Sequence, residues 1–198
     1  SRRWRQRIDS LRAAEPGKLW VLAVGVADYG SPKLNLELTT KDATDLVRTL
    51  KQTGGRYAAV ESLLLVDRQA SAEAIRRRGR AFLEAAQVGD QVVVFLAGHG
   101  LRDAKQDFYF GAYGINPKEP QKSGLSMEEI EGLVDGLKAR RKLVLLDSCF
   151  SGLLDELPEN GKQASTAGVT VRAGRALSFG LTMLGSPAQR QASQVEFH

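Results

Sequence analysis

The chain has 198 residues, 42% of them hydrophobic, which suits one substantial core in a single domain, and no apolar run approaches the roughly 18 residues that a membrane span needs. The net charge of +5 and the pI near 9.5 come from clusters at Arg2 to Arg12, Arg76 to Arg80 and Arg140 to Lys142; these are dispersed and lack interleaved aromatic residues, which argues against a nucleic-acid groove. One cysteine excludes an intramolecular disulfide framework and a zinc site built on several cysteines, and fits a reducing, cytoplasmic setting.

The basic start, Ser1 to Arg12, lacks the apolar centre of a signal peptide. A first residue of Ser rather than Met suggests a trimmed chain or a piece of a longer polypeptide. Residues 1–18 therefore read as a basic extension. From Leu19 to Val26 the chain is almost continuously apolar, a buried strand that runs into the turn-rich Asp28-Tyr29-Gly30-Ser31-Pro32. Thr40 is then expected to cap a helix through Lys51 with Ala43, Leu46, Val47 and Leu50 on one face, ended by Gly54-Gly55.

Ser62 to Val66 reads as a second strand, and Ser71 opens a second helix that ends near Gly89; Gln91 to Ala97 is a third strand. This alternation predicts an α/β fold with a mostly parallel central sheet and helices on both faces. After a polar excursion, Asp107 to Ala112 is a short strand-like piece. Ser126 and Glu129 form a capping box for a helix reaching about Lys138, and Lys142 to Leu146 is the fourth strand. Residues 153–176, rich in Gly, Ser and Thr, have no period and read as a loop or processing linker, whereas Leu177 to Leu184 looks like another strand.

Two chemically special residues follow apolar strands. The third strand ends in Ala97-Gly98-His99-Gly100, and the fourth in Asp147-Ser148-Cys149-Phe150-Ser151-Gly152. Both emerge at the carboxyl edge of the sheet, where open α/β sheets bind ligands. A thiol is only slightly ionised at neutral pH and needs a base within reach to attack a peptide carbonyl, a need His99 can meet for Cys149. The other histidine, His198, stands at the end of the sequence in no motif.

These two motifs, with Ala23-Val24-Gly25-Val26 and Lys41-Asp42-Ala43, resemble the caspase and metacaspase clan of cysteine peptidases, and most resemble its bacterial metacaspase-like (orthocaspase) members. The spacing from His99 to Cys149 also agrees with the roughly 50 residues between caspase histidine and cysteine. The likeness runs from about Leu19 to Gly152 and more weakly through Leu184-Gly185-Ser186. It implies a caspase-like fold, a large-subunit region over residues 19–152 carrying a His/Cys dyad, and the incomplete start of a small-subunit region over 177–198. It also implies Cys149 as nucleophile, His99 as base, and the amides of Gly100 and Cys149 as donors to the developing oxyanion.

True caspases carry a glutamine two residues before the nucleophile and cleave after aspartate. Here Asp147 stands at that place, Leu36 falls near where the first-loop arginine would be, and Asp42 occupies a position where metacaspases carry an acidic pocket residue. The resemblance thus implies cleavage after Arg or Lys, since two carboxylates in a partly desolvated pocket favour a guanidinium or ammonium. Ser186 and Ser193 are expected at the pocket border. Protein or peptide substrates with such a basic residue are the expected partners, together with a missing C-terminal fragment or regulatory domain.

No cofactor or metal is required by this chemistry. Asp103 and Asp107 lie where some metacaspases hold calcium, and two acids fall short of the six to eight oxygens of a calcium site; calcium activation is left open. An inactive caspase-fold scaffold or binding module, and a related cysteine-dependent ligase, stand as alternatives to the endopeptidase, because peptide cleavage and peptide joining share one acyl-enzyme.

Overall fold

The computed structural model describes residues 16–52, 55–150 and 179–183, with backbone alone at 149–150 and 179–183. Four strands form the parallel heart of the sheet: β1 (Leu19–Gly25), β2 (Val60–Val66), β3 (Gln91–Arg102) and β6 (Arg141–Phe150). β1 pairs in parallel with β2 on one side and β3 on the other, β3 pairs in parallel with β6, and β7 (Phe179–Met183) adds in parallel to β6. The short β4 (Phe108–Phe110) runs back antiparallel to the end of β3, and β5 (Leu125–Ser126) pairs antiparallel with β4.

Alternation along the strands explains the two apolar layers. Leu19, Val21 and Ala23 of β1 join Phe95 and Ala97 of β3 beneath helix α1 (Thr39–Lys51), which buries Ala43 and Val47. On the other face, Leu22, Val24, Val92, Val94, Leu96, Val144 and Leu146 meet Ile75, Leu83 and Ile130. That layer is built from α2 (Ala72–Ala74), a π-helical turn (Ile75–Gly79), α3 (Arg80–Leu83), and α5 (Met127–Gly132), which follows the one-turn α4 (Pro120–Ser123). Helices thus cover both faces of a mostly parallel sheet, and the predicted fold class holds. Each fully buried Leu of these layers is worth roughly 1.5–3 kcal/mol against exposure.

Several local expectations are corrected. Thr40 does not cap α1: the N-cap is Leu38 and no side chain closes it, because the hydroxyls are engaged elsewhere, Thr39 donating to the Val26 carbonyl at 2.6 Å and Thr40 to Asp67 Oδ1 at 3.2 Å. The second helix does start at Ser71, whose Oγ accepts the Ala74 amide, but it ends at Leu83 rather than near Gly89. The Ser126/Glu129 capping box is present, yet α5 stops at Gly132. Beyond it the chain tightens into turns, with Leu133 and Val134 donating three residues back and Gly136 at φ +66°.

The largest correction concerns β3 and β6, which extend well past Ala97 and Leu146. His99 and Cys149 therefore lie within paired strands rather than in loops beyond them. Glycine and polar residues continue the ladder there because each strand has the other as neighbour as far as Gly100 and Phe150, while β4 takes over from β1 as the second neighbour of β3.

Candidate active site

The β3–β6 ladder sets the site. Its register opposes Phe95 to Leu145, Ala97 to Asp147, Gly98 to Ser148, His99 to Cys149 and Gly100 to Phe150. Adjacent strands lie roughly 4.8 Å apart. The pairing therefore brings residues 50 positions apart in sequence to adjacent backbone positions.

His99 is buried and held at three points. Its amide donates to the Tyr29 hydroxyl at 2.8 Å, its carbonyl accepts the Gly111 amide at 2.8 Å, and its ring Nε2 lies 2.7 Å from the Leu34 carbonyl. A carbonyl can only accept, so that contact fixes the neutral tautomer with its proton on Nε2 and its basic lone pair on Nδ1. Burial pulls the His99 pKa below the ordinary histidine value, opposed in part by the bond to Leu34. At neutral pH the imidazole is accordingly neutral and able to take a proton.

Tyr29 and Leu34 belong to the β1–α1 loop, whose anchor is Asp67 at the end of β2. Asp67 Oδ1 accepts the amides of Ala27 at 2.9 Å and Asp28 at 2.8 Å, and the residue takes φ +46°, a left-handed conformation that aspartate tolerates better than most side chains. Within the loop the Tyr29 amide donates to Asn35 Oδ1 at 3.0 Å, and the Leu36 amide to the Ala27 carbonyl at 2.9 Å. Leu36, partly buried, packs against the core.

Asp42 stands in the first turn of α1, and Asp147 on β6 two residues before Cys149. Burial pushes the Asp147 carboxyl above the ordinary aspartate range, and the charge of Asp42 pushes it further in the same direction. Two residues 105 positions apart thus share one electrostatic environment. Close approach of α1 to β1 makes this possible: a Cβ at Gly25 would fall 2.5 Å from the Thr39 carbonyl oxygen and 2.9 Å from Thr40 Cα.

Of the other predicted positions, Gly100 lies buried on β3 next to His99, paired with Phe110 of β4 and with Phe150 of β6. Asp103 and Asp107 are in the β3–β4 turn, where Asp103 Oδ1 accepts the amides of Lys105 at 2.8 Å and Asp107 at 3.0 Å, so that carboxylate organises the turn. Among the described residues, no three His, Cys, Asp or Glu side chains group in a way that could hold a metal ion, and no helix is long and apolar enough to cross a membrane. Ser186, Ser193, His198, the basic segment 1–15 and the linker 153–176 lie outside the described residues.

Sequence reasoning missed Tyr29 and Leu34. Tyr29 sat in a stretch whose composition reads only as a turn. Leu34 acts through its carbonyl, which leaves no mark on residue type.

A strand bearing His99 paired in register with a strand bearing Cys149, inside an α/β sheet covered on both faces, is the architecture of the caspase fold. The family model of the caspase domain matches residues 18–195, and the chain belongs to that family, whose function is of the cysteine-peptidase type. Among solved structures it is similar to protein GSU0716 from Geobacter sulfurreducens, with 22% identity and a TM-score of 0.52 over 67% of this chain and 50% of that one. It is also similar to pro-sf-caspase-1, with 12% identity and a TM-score of 0.48 over 85% of this chain and 60% of the other. The chain thus spans half the length of the first of these proteins. No curated protein matches it.

Proposed function

We propose that the chain is a metacaspase-like cysteine endopeptidase that cleaves peptide bonds after Arg or Lys. The observation that carries this reading is the pairing of His99 with Cys149 in one ladder, with the His99 ring held through Nε2 by the Leu34 carbonyl. In the proposed reaction Nδ1 of His99 takes the Cys149 proton as sulfur attacks the carbonyl. Amides at Gly100 and Cys149 receive the oxyanion charge. His99 then returns the proton to the leaving amine, and water releases the acyl group from sulfur by the same route in reverse.

The basic specificity rests on Asp42 and Asp147. Burial, and after it the charge of Asp42, raises the Asp147 pKa, and a guanidinium set between the two carboxylates offsets both effects while forming charge-assisted bonds to both. Arginine gains a planar two-point fit that lysine cannot make. The reading also takes the protein as cytoplasmic and needing no cofactor, with calcium as a tested variable.

The test is turnover of matched fluorogenic peptides ending in Arg, Lys or Asp, with and without calcium, by the full-length protein. Arg and Lys peptides should be cleaved, Cys149→Ala should abolish cleavage, and His99→Ala should lower it by about 10²–10⁴-fold, the usual worth of a positioned base. Cleavage after Asp would overturn the pocket assignment. A folded wild type without turnover on any peptide would favour a binding module.

A further inference from the structure

The last ladder bond of β1 to β3 runs from the Val26 amide to the Ala97 carbonyl, and the next contact on that side of β3 runs from the Gly111 amide to the His99 carbonyl. Between them the His99 amide meets a side chain. The Tyr29 hydroxyl accepts it at 2.8 Å and donates in turn to the Gly111 carbonyl at 3.1 Å, so one oxygen closes the gap where the neighbour of β3 changes from β1 to the segment leading out of β4. The Tyr29 ring also lies against the His99 ring, with centroids 4.9 Å apart and planes at 39°.

The surroundings are fitted to this hydroxyl. Tyr29 is 4% exposed, and a Cβ at Gly98 would stand 2.7 Å from its oxygen, so glycine is the residue that leaves it room. A tyrosine is needed for chemical as well as steric reasons: the same atom must accept from one buried group and donate to another. Burial, opposed by the bond from the His99 amide and aided by Asp67, raises the Tyr29 pKa far above the working range, so the hydroxyl keeps its proton to donate.

We infer that Tyr29 is a positioning residue for His99, and that through it the β1–α1 loop sets the alignment of the histidine with Cys149. The inference rests on the peptidase reading above. Tyr29 fixes the histidine's backbone while Leu34, five residues on, fixes its ring, and the Asn35 side chain ties the Tyr29 amide into the same loop. Loss of the hydroxyl leaves the His99 amide and the Gly111 carbonyl without this partner, and the histidine drifts from its alignment.

Cys149 is the sole cysteine, so alkylation by iodoacetamide reports on it alone, and the pH dependence of the rate reports its coupling to His99 without any need for a peptide substrate. Wild type, Tyr29→Phe, Asn35→Ala and His99→Ala, each verified as folded by circular dichroism, are compared by alkylation against pH and by peptide turnover. Tyr29→Phe should move the alkylation curve toward that of His99→Ala and lower kcat by about 10-fold to 100-fold with KM unchanged, the scale of a small misplacement near the reacting atoms. Asn35→Ala should do the same to a smaller degree and carries the test if Tyr29→Phe does not fold.

Wild-type alkylation curves and wild-type kcat in the folded variants, beside a displaced curve for His99→Ala, would overturn the role of Tyr29 and leave the dyad standing. A wild-type curve for His99→Ala would overturn both.

Discussion

Asp147 carries a cost that its neighbourhood makes explicit. Its folded pKa lies above its unfolded value because of burial and because of Asp42. Between those two values the folded chain binds more protons than the unfolded one, so stability falls as pH rises through that window, and the penalty is complete once pH exceeds the folded value. Asp147→Asn should therefore melt at a higher temperature than wild type at pH 7, with the advantage shrinking as pH is lowered toward the ordinary carboxylate range; thermal melts across pH check this. The same variant should lose turnover of Arg peptides. A residue that weakens the fold while serving the proposed pocket is the usual signature of a site shaped by function rather than stability. Equal melting temperatures at pH 7 would mean that Asp147 is not destabilised by its surroundings.

At the scale of elements, the decisive contact is that of α1 with β1. Gly25→Ala would drive a methyl into the Thr39 carbonyl and Thr40 Cα, both main chain, and so unable to swing aside. Overpacking of this kind costs about 1–3 kcal/mol, which urea unfolding would measure. Because α1 carries Asp42, the displaced helix should also raise KM for Arg peptides. Much of this level was readable in the sequence. The apolar runs at Leu19, Gln91 and Lys142 announced strands, and Ser126 with Glu129 announced a helix start. What could not be read was where strands end. Gly98 and Ser148 have no strand propensity, and only the partner strand opposite each keeps the ladder going. The same holds for the cap of α1: Thr40 has the right chemistry, but Asp67, 27 residues away, claims its hydroxyl.

For the molecule as a whole, β3 is the centre. It is flanked by β1 and then β4 on one side and by β6 on the other, with apolar layers above and below. Amides of Val92 to Leu96 should therefore be among the slowest to exchange with deuterium, opening only on global unfolding, while those of β2, whose neighbour among the described residues is β1 alone, exchange sooner. Faster exchange in β3 than in β2 would contradict this ranking. The placing of His99 and Cys149 at one edge of the sheet was legible because they are two rare residue types at the ends of apolar runs, whereas their pairing within one ladder was not. Nor was the support of His99, since a hydroxyl in a turn-like segment and a main-chain carbonyl carry no pattern that a reader of residues can weigh.

The β1–α1 loop grips His99 through Tyr29 at one point and Leu34 at another, and this bears on how the chain can change over time. Surface connections ordinarily absorb added or deleted residues at little cost. Here the count from 29 to 34 acts as a ruler whose two marks both touch the histidine, so one residue gained or lost between them misaligns one grip whenever the other is satisfied. Length variation should be purged from this short span and accommodated instead in connections that have no hold on the site.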